Sequence, residues 1–190
     1  RMCPGRYLAL LEMKMAMAML LSSFDVESVA TPDGDPAEER MAFTMNPGRI
    51  EVVALEHSFH GRTAAAGALT WGAAKKWYGF PRTPFDVTFL PRRDEATLAR
   101  ITEKTAAVVV EPIQGVGGAF DLGAPYLKAL RKRCDEIGAV LIFDEVQCGF
   151  GRCGEPFAAV LYGVLPDMIT SAKALGNGFP CSALLMMKKA

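Results

Sequence analysis

Two residues of opposite charge lie at the ends of short apolar runs in the second half of the chain. Asp144 ends the run at residues 139–143, and Lys173 follows residues 167–172. Glycine or proline flanks each run, a pattern that predicts two strands. A carboxylate and an amine at the ends of neighbouring buried strands can face one ligand across a crevice. Such a pair suits pyridoxal phosphate, because the lysine can form a Schiff base while the aspartate keeps the pyridine nitrogen protonated.

The neighbours of these two residues refine the predicted site. Gln147 stands three positions after Asp144 and can donate a hydrogen bond to a phenolate oxygen. Asp144 and Glu145 point to opposite sides if the strand continues, so only one of them can face a given ligand. Lys173 has Ala, Leu and Phe around it in sequence, and we expect its amine to be desolvated and therefore nucleophilic. A solvated side chain is the ordinary alternative for a single lysine.

Two earlier motifs lie at the ends of predicted strands. S-F-H-G-R-T, at residues 58–63, contains Arg62 and also Phe59, whose ring can stack on a flat cofactor. V-E-P-I-Q-G, at residues 110–115, places Glu111 at the end of a buried strand, where a carboxylate needs a cationic or hydrogen-bonded partner. Taken alone, each motif has a simpler explanation: a core phenylalanine beside a loop arginine, and a structural salt bridge.

Composition excludes several classes of protein. The 190 residues are 51% hydrophobic and carry 21 basic and 21 acidic side chains. A net charge of zero gives no electrostatic basis for binding nucleic acid or an anionic membrane surface. The apolar run at residues 8–21 contains two charges and is too short to span a bilayer. The five cysteines form no C-x-x-C pair, which favours reduced thiols in a cytoplasm over a disulfide framework or a zinc site.

Apolar runs and turn residues divide the chain from residue 49 onward into alternating strands and helices. We predict strands at residues 50–55, 86–90, 106–111, 139–144, 167–170 and 182–187. We predict helices at residues 63–69, 95–102, 125–137 and 156–162. Pro125 and Gly138 mark the start and the end of the third helix. The alternation predicts an α/β fold with a mainly parallel sheet and helices on both of its faces.

The first 48 residues have a different character. Residues 7–21, rich in Leu, Ala and Met, predict a buried helix, and residues 41–45 predict a short strand. Cys3 precedes this helix, where backbone donors and the helix dipole favour a thiolate. A thiolate in an apolar setting can ligate haem iron. A buried, unreactive thiol is the ordinary alternative.

The run R-M-C-P-G-R and the helix after it resemble the cysteine-ligand loop and the C-terminal tail of cytochrome P450. The resemblance covers residues 1–47. It implies that Cys3 is the ligand of haem iron in the parent family, with Arg1 near a haem propionate. The glycine-rich lead-in and the oxygen-activating helix of that family have no counterpart in the sequence. We therefore expect no working haem site in this chain.

Residues 49–190 resemble the large domain of the class III aminotransferases, which depend on pyridoxal phosphate and have fold type I. The group includes acetylornithine and ornithine aminotransferases. The matching motifs are S-F-H-G-R-T, V-E-P-I-Q-G, F-D-E-V-Q-C-G-F-G-R, P-D and A-K-A-L-G-N-G-F-P. The resemblance implies transfer of an amino group from an acetylornithine- or ornithine-like amino acid to a 2-oxo acid. It also implies a homodimer with shared sites.

The resemblance assigns a role to each residue of the predicted site. Lys173 is implied to bond to the cofactor and then to move a proton. Asp144 is implied to pair with the pyridinium nitrogen. The remaining implied contacts are the ring hydroxyl for Gln147, the ring face for Phe59, and the substrate side for Arg62 and Glu111.

The sequence departs from the family pattern at several points. Val116 stands where the family usually has glutamate, and Asn177 replaces a glycine. The S-G-x-E-A turn that binds phosphate and the domain that binds the substrate carboxylate have no counterpart. We therefore expect two unrelated pieces, residues 1–48 and 49–190, in a chain with little or no activity. The alternatives are a haem–thiolate monooxygenase fragment and a misjoined product without catalytic function.

Overall fold

The computed structural model describes residues 50–76 and 85–186. Contacts divide the chain into two units, Arg1–Gly48 and Arg49–Ala190, and every described residue belongs to the second unit. The predictions for the first 48 residues, including haem ligation by Cys3, therefore lie outside the described residues.

The described chain is built around a six-stranded sheet. The strands of the described residues are β1 (Glu51–Leu55), β2 (Asp86–Leu90), β3 (Thr105–Val110), β4 (Ile113–Gln114), β5 (Phe120–Asp121), β6 (Val140–Asp144), β7 (Met168–Ser171) and β8 (Ala183–Met186), of which β4 and β5 form a separate hairpin. The sheet has the order β2-β1-β3-β6-β7-β8, in which only β8 is antiparallel to its neighbour. All six predicted strands are present, and the predicted α/β fold with a mainly parallel sheet is confirmed.

Four α-helices lie between the strands of the described residues. They are α1 (Ala64–Ala68), α2 (Ala73–Lys76), α3 (Ala124–Ile137) and α4 (Ala158–Tyr162). The longest, α3, begins next to Pro125 and ends at Gly138, whose φ of 74° is left-handed. Both of its predicted boundary signals are therefore confirmed. Among the described helices, none combines the length and the apolar character needed to cross a membrane.

The helix predicted at residues 95–102 forms a 3₁₀ helix, Glu95–Arg100, instead of an α-helix. Its first turn is held by side chains that bond locally. Asp94 Oδ1 accepts a hydrogen bond from the N–H of Ala96 at 3.1 Å, and Thr97 Oγ1 donates to Asp94 O at 2.7 Å. Such local bonds compete with the α-helical pattern, and they favour the tighter turn in a short segment.

The hairpin β4–β5 was not predicted, because two-residue strands give no periodic signal. A buried side chain fixes it to the sheet. Gln114 Nε2 donates a hydrogen bond to the carbonyl oxygen of Glu56 at 3.0 Å, while Gln114 Oε1 accepts one from Arg92 at 3.2 Å. The hairpin is thereby tied to the segments that follow β1 and β2.

The hydrophobic core is formed by α3 and the central strands of the sheet. Its fully buried side chains include Leu55, Val108, Leu127, Leu130, Leu141 and Phe143. Asp167, from the P-D motif, fixes the position of α3. One of its carboxylate oxygens accepts hydrogen bonds from Arg131 Nη1 on α3 and from the backbone N–H of Leu141 on β6, each at 2.8 Å. The core and Asp167 together hold α3 against β6 and the neighbouring strands, at whose ends the predicted site residues lie.

Candidate active site

Residues of the predicted site lie at the carboxyl ends of four parallel strands. The chain passes from β1 outward to β2 and then places β3 on the other side of β1. This reversal opens a crevice at the carboxyl ends of β1 and β3. Phe59 follows β1 and Glu111 follows β3. Asp144 ends β6 opposite Thr170 of β7, and Lys173 lies just beyond β7.

Asp144 is held by a histidine. Asp144 Oδ2 lies 2.7 Å from His60 Nδ1, and the two side chains are 11% and 3% exposed, respectively. Asp144 Oδ1 accepts a hydrogen bond from the backbone N–H of Val146 at 3.1 Å. Because a carboxylate only accepts hydrogen bonds, we assign the proton of this contact to Nδ1. The carboxylate is therefore fixed at both oxygens before any ligand binds.

Sequence reasoning missed His60. Its backbone N–H donates a hydrogen bond to Thr70 Oγ1 at 3.0 Å, which fixes the backbone at this position, and its Nε2 is buried with no hydrogen-bond partner among the described residues. The residue stands inside the S-F-H-G-R-T motif, but 84 positions separate it from Asp144. Spacing alone could not reveal the contact. The one available signal was a histidine directly after an aromatic residue at a strand end.

Glu145 points away from Asp144, as the alternation of a strand predicts. Its Oε2 accepts a hydrogen bond from the N–H of Ala158 at 2.6 Å, and its Oε1 accepts one from Ala159 at 2.8 Å. Glu145 thus holds the first turn of α4. Burial raises the pKa of this carboxyl, and the two N–H donors oppose that shift.

Glu111 is also buried and also bonds to the backbone. Its Oε1 accepts a hydrogen bond from the N–H of Phe59 at 2.8 Å, and its Oε2 accepts one from Gly115 at 3.2 Å. Burial is the largest cause of a raised pKa for this carboxyl, and the bond from Phe59 opposes it. The partners of Glu111 are thus hydrogen-bond donors, one of the two kinds of partner that the sequence predicted for it.

Gln147 lies directly over Gly115. A Cβ built on Gly115 would overlap the carboxamide of Gln147, so a larger residue there would require Gln147 to move aside. Both residues line a cleft of about 610 Å³. Lys173, Arg152 and Asn177 line the same cleft. The cleft thus brings the predicted amide and the predicted amine together.

Lys173 is exposed, whereas its apolar sequence neighbours predicted a desolvated amine. The residue begins a 3₁₀ turn, Lys173–Leu175, with a left-handed φ of 44°. This backbone conformation is uncommon for a residue other than glycine. Because the turn leaves the sheet at the end of β7, the side chain reaches the cleft without entering the apolar core.

Arg62 is not among the residues that line this cleft, whereas Cys148 and Cys153 are. Arg62 is exposed, one residue after Gly61. Burial raises the pKa of the Cys148 thiol to about 12 and also raises that of Cys153, so neither cysteine beside the cleft is a thiolate. Residues 50–76 and 85–186 contain no group of three or more His, Cys, Asp or Glu side chains suited to a metal ion. Lys173 carries the one amine among the side chains that line this cleft.

The sequence matches two family profiles. Residues 37–190 match the family described as Aminotransferase class-III, and residues 1–54 match Cytochrome P450. The two matches overlap at residues 37–54. The first of them extends over most of the chain and includes every described residue.

Curated relatives are similar to about three quarters of the chain. The chain is 49% identical over 140 residues to a succinylornithine transaminase/acetylornithine aminotransferase of Pseudomonas aeruginosa, with 73% of this chain and 34% of the relative covered. It is 45% identical over 141 residues to a [LysW]-aminoadipate semialdehyde/glutamate semialdehyde transaminase of Sulfurisphaera tokodaii, with 73% and 36% covered. The chain thus spans about a third of the length of the curated relatives it matches.

Solved structures share the fold. The N-acetylornithine aminotransferase of Stenotrophomonas maltophilia superposes with a TM-score of 0.57 at 35% identity, over 74% of this chain and 32% of that one. An amine transaminase from an uncultivated Pseudomonas species, in a PLP-bound form, superposes with a TM-score of 0.65 at 28% identity. The match covers 75% of this chain and 37% of that one. The described sheet therefore corresponds to part of a larger fold-type I domain.

Proposed function

The chain belongs to the class-III aminotransferase family, whose reaction moves an amino group from an amino acid to a 2-oxo acid, and on this premise we propose that it binds the cofactor of that reaction with little or no turnover of its own. The family works with pyridoxal phosphate. The observation that carries the proposal is the convergence of Asp144 and Lys173 at the ends of the paired strands β6 and β7. A fixed carboxylate and an accessible amine are the two groups that this cofactor requires of a protein.

The side chains around the crevice fit a pyridoxal ring. Each oxygen of Asp144 has one hydrogen bond from a described residue, and a carboxylate oxygen can accept a second one. Asp144 can therefore also accept from a protonated ring nitrogen. Gln147 carries an amide that can donate to a ring oxygen, and the half-buried Phe59 offers an aromatic face. The cleft of about 610 Å³, which Gln147 and Lys173 line but Asp144 and Phe59 do not, has room for a small ligand.

Bound pyridoxal phosphate would supply an aldehyde that bonds to an amine and a ring that accepts an electron pair. Asp144, oriented by His60, would keep a proton on the ring nitrogen so that the ring stays electron-poor. Lys173 would hold the cofactor through Nζ. The same Nζ would take a proton from the carbon that bears the substrate amine and would return one. The exposure of Lys173 leaves a path for that amine.

The substrate side of the proposal rests on Arg62. Its exposed guanidinium follows the loop that carries Phe59, and a guanidinium can bind a carboxylate through two parallel hydrogen bonds. We assign to it a carboxylate of the amino acid. The relatives' names favour an acetylornithine-like donor. Val116, which is 50% exposed on the β4–β5 hairpin, stands where the family usually has a glutamate.

The decisive experiment mixes the purified chain with pyridoxal phosphate, reduces it with borohydride and locates the adduct by mass spectrometry. The expected product is a single adduct on Lys173 that is lost in Lys173→Ala. Lys104→Ala, at an exposed lysine outside the cleft, should leave the adduct unchanged. Adducts spread equally over surface lysines would overturn the proposal. We expect transamination close to that of free pyridoxal phosphate, and a much faster rate lost in Lys173→Ala would overturn that expectation alone.

A second candidate function, haem ligation by Cys3, is favoured by the Cytochrome P450 match of residues 1–54. We expect the reduced, carbon-monoxide-treated chain to show no thiolate-type band. A band that disappears in Cys3→Ser would instead establish a haem site. A chain that neither binds haem nor forms the Lys173 adduct would favour the misjoined, non-catalytic product.

We further propose that the chain acts as a homodimer in the cytoplasm. The dimer is inferred from the family. The cytoplasm is inferred from the thiols, because the four cysteines in the described ranges are free. Sedimentation velocity over a range of concentrations tests the dimer, and a monomer at every concentration would overturn it. Fractionation of cells that produce the chain tests its location.

A further inference from the structure

We propose that Glu111 is a positioning residue that fixes the distance between Phe59 and Gln147. This inference rests on the proposed function, in which Phe59 covers the face of the cofactor ring and Gln147 contacts its edge. The proposal replaces a substrate-side role for Glu111 with a role inside the wall of the site. Its basis is the pair of hydrogen bonds that the carboxylate accepts from the backbone N–H groups of Phe59 and Gly115.

Glu111 connects two loops that are distant in sequence. The N–H of Phe59, 52 positions earlier, donates to Oε1 at 2.8 Å, and the N–H of Gly115 donates to Oε2 at 3.2 Å. The side chain is 3% exposed, so water does not compete effectively for either oxygen. One carboxylate therefore holds the loop after β1 and the start of the β4–β5 hairpin at a constant separation.

The second loop determines where Gln147 lies. The carboxamide of Gln147 occupies the space that a side chain on residue 115 would fill, with Oε1 only 1.8 Å from an ideal Cβ position. Because the carboxamide packs against Gly115, we infer that a displacement of Gly115 would change the position of Gln147. Gly115 in turn is bonded to Glu111. The chain of contacts runs from Phe59 through Glu111 and Gly115 to Gln147, without a gap.

The geometry also argues against direct contact between Glu111 and a substrate. Each oxygen accepts a hydrogen bond from a backbone N–H, and Glu111 is only 3% exposed, so a substrate has little access to the carboxylate. Glu145 shows the same chemistry used structurally, because it is buried to the same degree and holds the N–H groups of Ala158 and Ala159. The two carboxylates differ in the residues whose backbone N–H groups they bind. Glu145 holds a helix start, whereas Glu111 holds both proposed ring contacts.

The first test uses the protein without cofactor. In Glu111→Gln, an amide group replaces one accepting oxygen, so at least one of the two hydrogen bonds is lost. We expect the amide resonances of Phe59 and Gly115 to move upfield and the side-chain amide resonances of Gln147 to shift with them. Glu145→Gln, the matched variant, should shift Ala158 and Ala159 instead. Unchanged Gln147 resonances in a folded Glu111→Gln protein would overturn the proposal.

The second test measures pyridoxal phosphate binding in a double-mutant cycle. Glu111→Gln should weaken binding about tenfold, as expected when a supporting residue of a site is lost. In a background that already carries Phe59→Leu and Gln147→Ala, the same change should weaken binding by less than about twofold, because its targets are gone. A full tenfold loss in that background would show that Glu111 acts by another route and would overturn the proposal.

The two tests separate failure of the inference from failure of the proposed function. If the unchanged chain binds no pyridoxal phosphate, the proposed function fails, and the resonances of the cofactor-free protein still decide whether Glu111 couples Phe59 to Gln147. If Glu111→Gln destabilises the chain too far, Gly115→Ser in the same experiment breaks the second half of the connection. That variant should shift Gln147 while the Phe59 amide keeps its bond to Oε1, and the opposite pattern would contradict the model of contacts.

Discussion

The candidate site has two sides that are built differently. The braced side consists of Phe59, His60, Glu111 and Asp144, whose contacts join residues 52 and 84 positions apart in sequence. The lysine loop, residues 173–181, is mostly exposed, and its hydrogen bonds between backbone groups span two or three residues. Segments with few long-range contacts open at low free-energy cost. We infer that the ring-facing groups are set by folding, whereas the amine can move without disturbing the sheet.

Lys173→Ala should show the largest difference between the two sides, because it removes the reactive amine and leaves the braced side intact. The covalent adduct with pyridoxal phosphate should be lost entirely, because the lysine loop supplies the only amine proposed to form it. The free energy of unfolding should change by less than about 0.5 kcal/mol, since the side chain is exposed. Urea denaturation and mass spectrometry of the reduced adduct check the two halves. A large loss of stability would show that the lysine loop supports the sheet after all.

Gly115→Ala tests the contact between Gln147 and Gly115, whose N–H bonds to Glu111 of the braced side. The added methyl group must displace Gln147, because it would lie 1.8 Å from Oε1. We expect a small loss in the free energy of unfolding, because the end of a flexible side chain can move aside, together with weaker binding of pyridoxal phosphate, because Gln147 leaves its position. Gly154→Ala is the matched control, since its Cβ would meet no atom within 4 Å and only its φ of 89° is unfavourable. Equal effects on binding in the two variants would contradict the steric explanation.

His60→Leu should weaken the braced side without filling the cleft. Asp144 would keep only the hydrogen bond from Val146, and the free energy of unfolding should fall by about 1–3 kcal/mol. His57→Asn, at an exposed residue with a left-handed φ of 63°, should have little effect. Both variants replace a histidine, but the side chain of His60 is buried and that of His57 is exposed. A smaller loss for His60→Leu than for His57→Asn would mean that the contact with Asp144 contributes nothing to stability.

The smallest effect is expected for Glu145→Gln, which should change how the free energy of unfolding depends on pH. Burial raises its pKa, so the native state binds the proton more tightly than the unfolded chain does. Its contribution to the free energy of unfolding is fully present below the unfolded-state pKa and is lost as pH rises through the folded-state pKa. The difference in unfolding free energy between the unchanged chain and Glu145→Gln should therefore fall with rising pH. Denaturation at a series of pH values measures it, and a difference that rises with pH would contradict the sign.

Much of the fold could be predicted because its signals are local. Apolar runs marked all six strands of the sheet, and Pro125 and Gly138 marked the ends of α3. The 3₁₀ form of Glu95–Arg100 and the β4–β5 hairpin were missed, because local side-chain bonds and glycines decide them. In both segments the hydrophobic period carries no information.

The candidate site was predictable only in part. Asp144, Gln147 and Lys173 stand in local motifs with recognisable chemistry. The contact between His60 and Asp144 depends on two strands that fold beside a third, so spacing could not reveal it. The exposure of Lys173 was also missed, because composition describes neighbours in sequence and not the direction in which a turn leaves the sheet.

The step from Asn177 to Gly178 has a consequence for the chemical lifetime of the protein. Asn177 has a left-handed φ of 45°, a conformation that asparagine tolerates, and both residues are exposed. A following glycine leaves its backbone nitrogen unobstructed for attack on the asparagine amide. Deamidation there would introduce a negative charge into the same cleft as Lys173. Aged preparations should therefore separate into two charge forms, and Asn177→Gly should remain a single form.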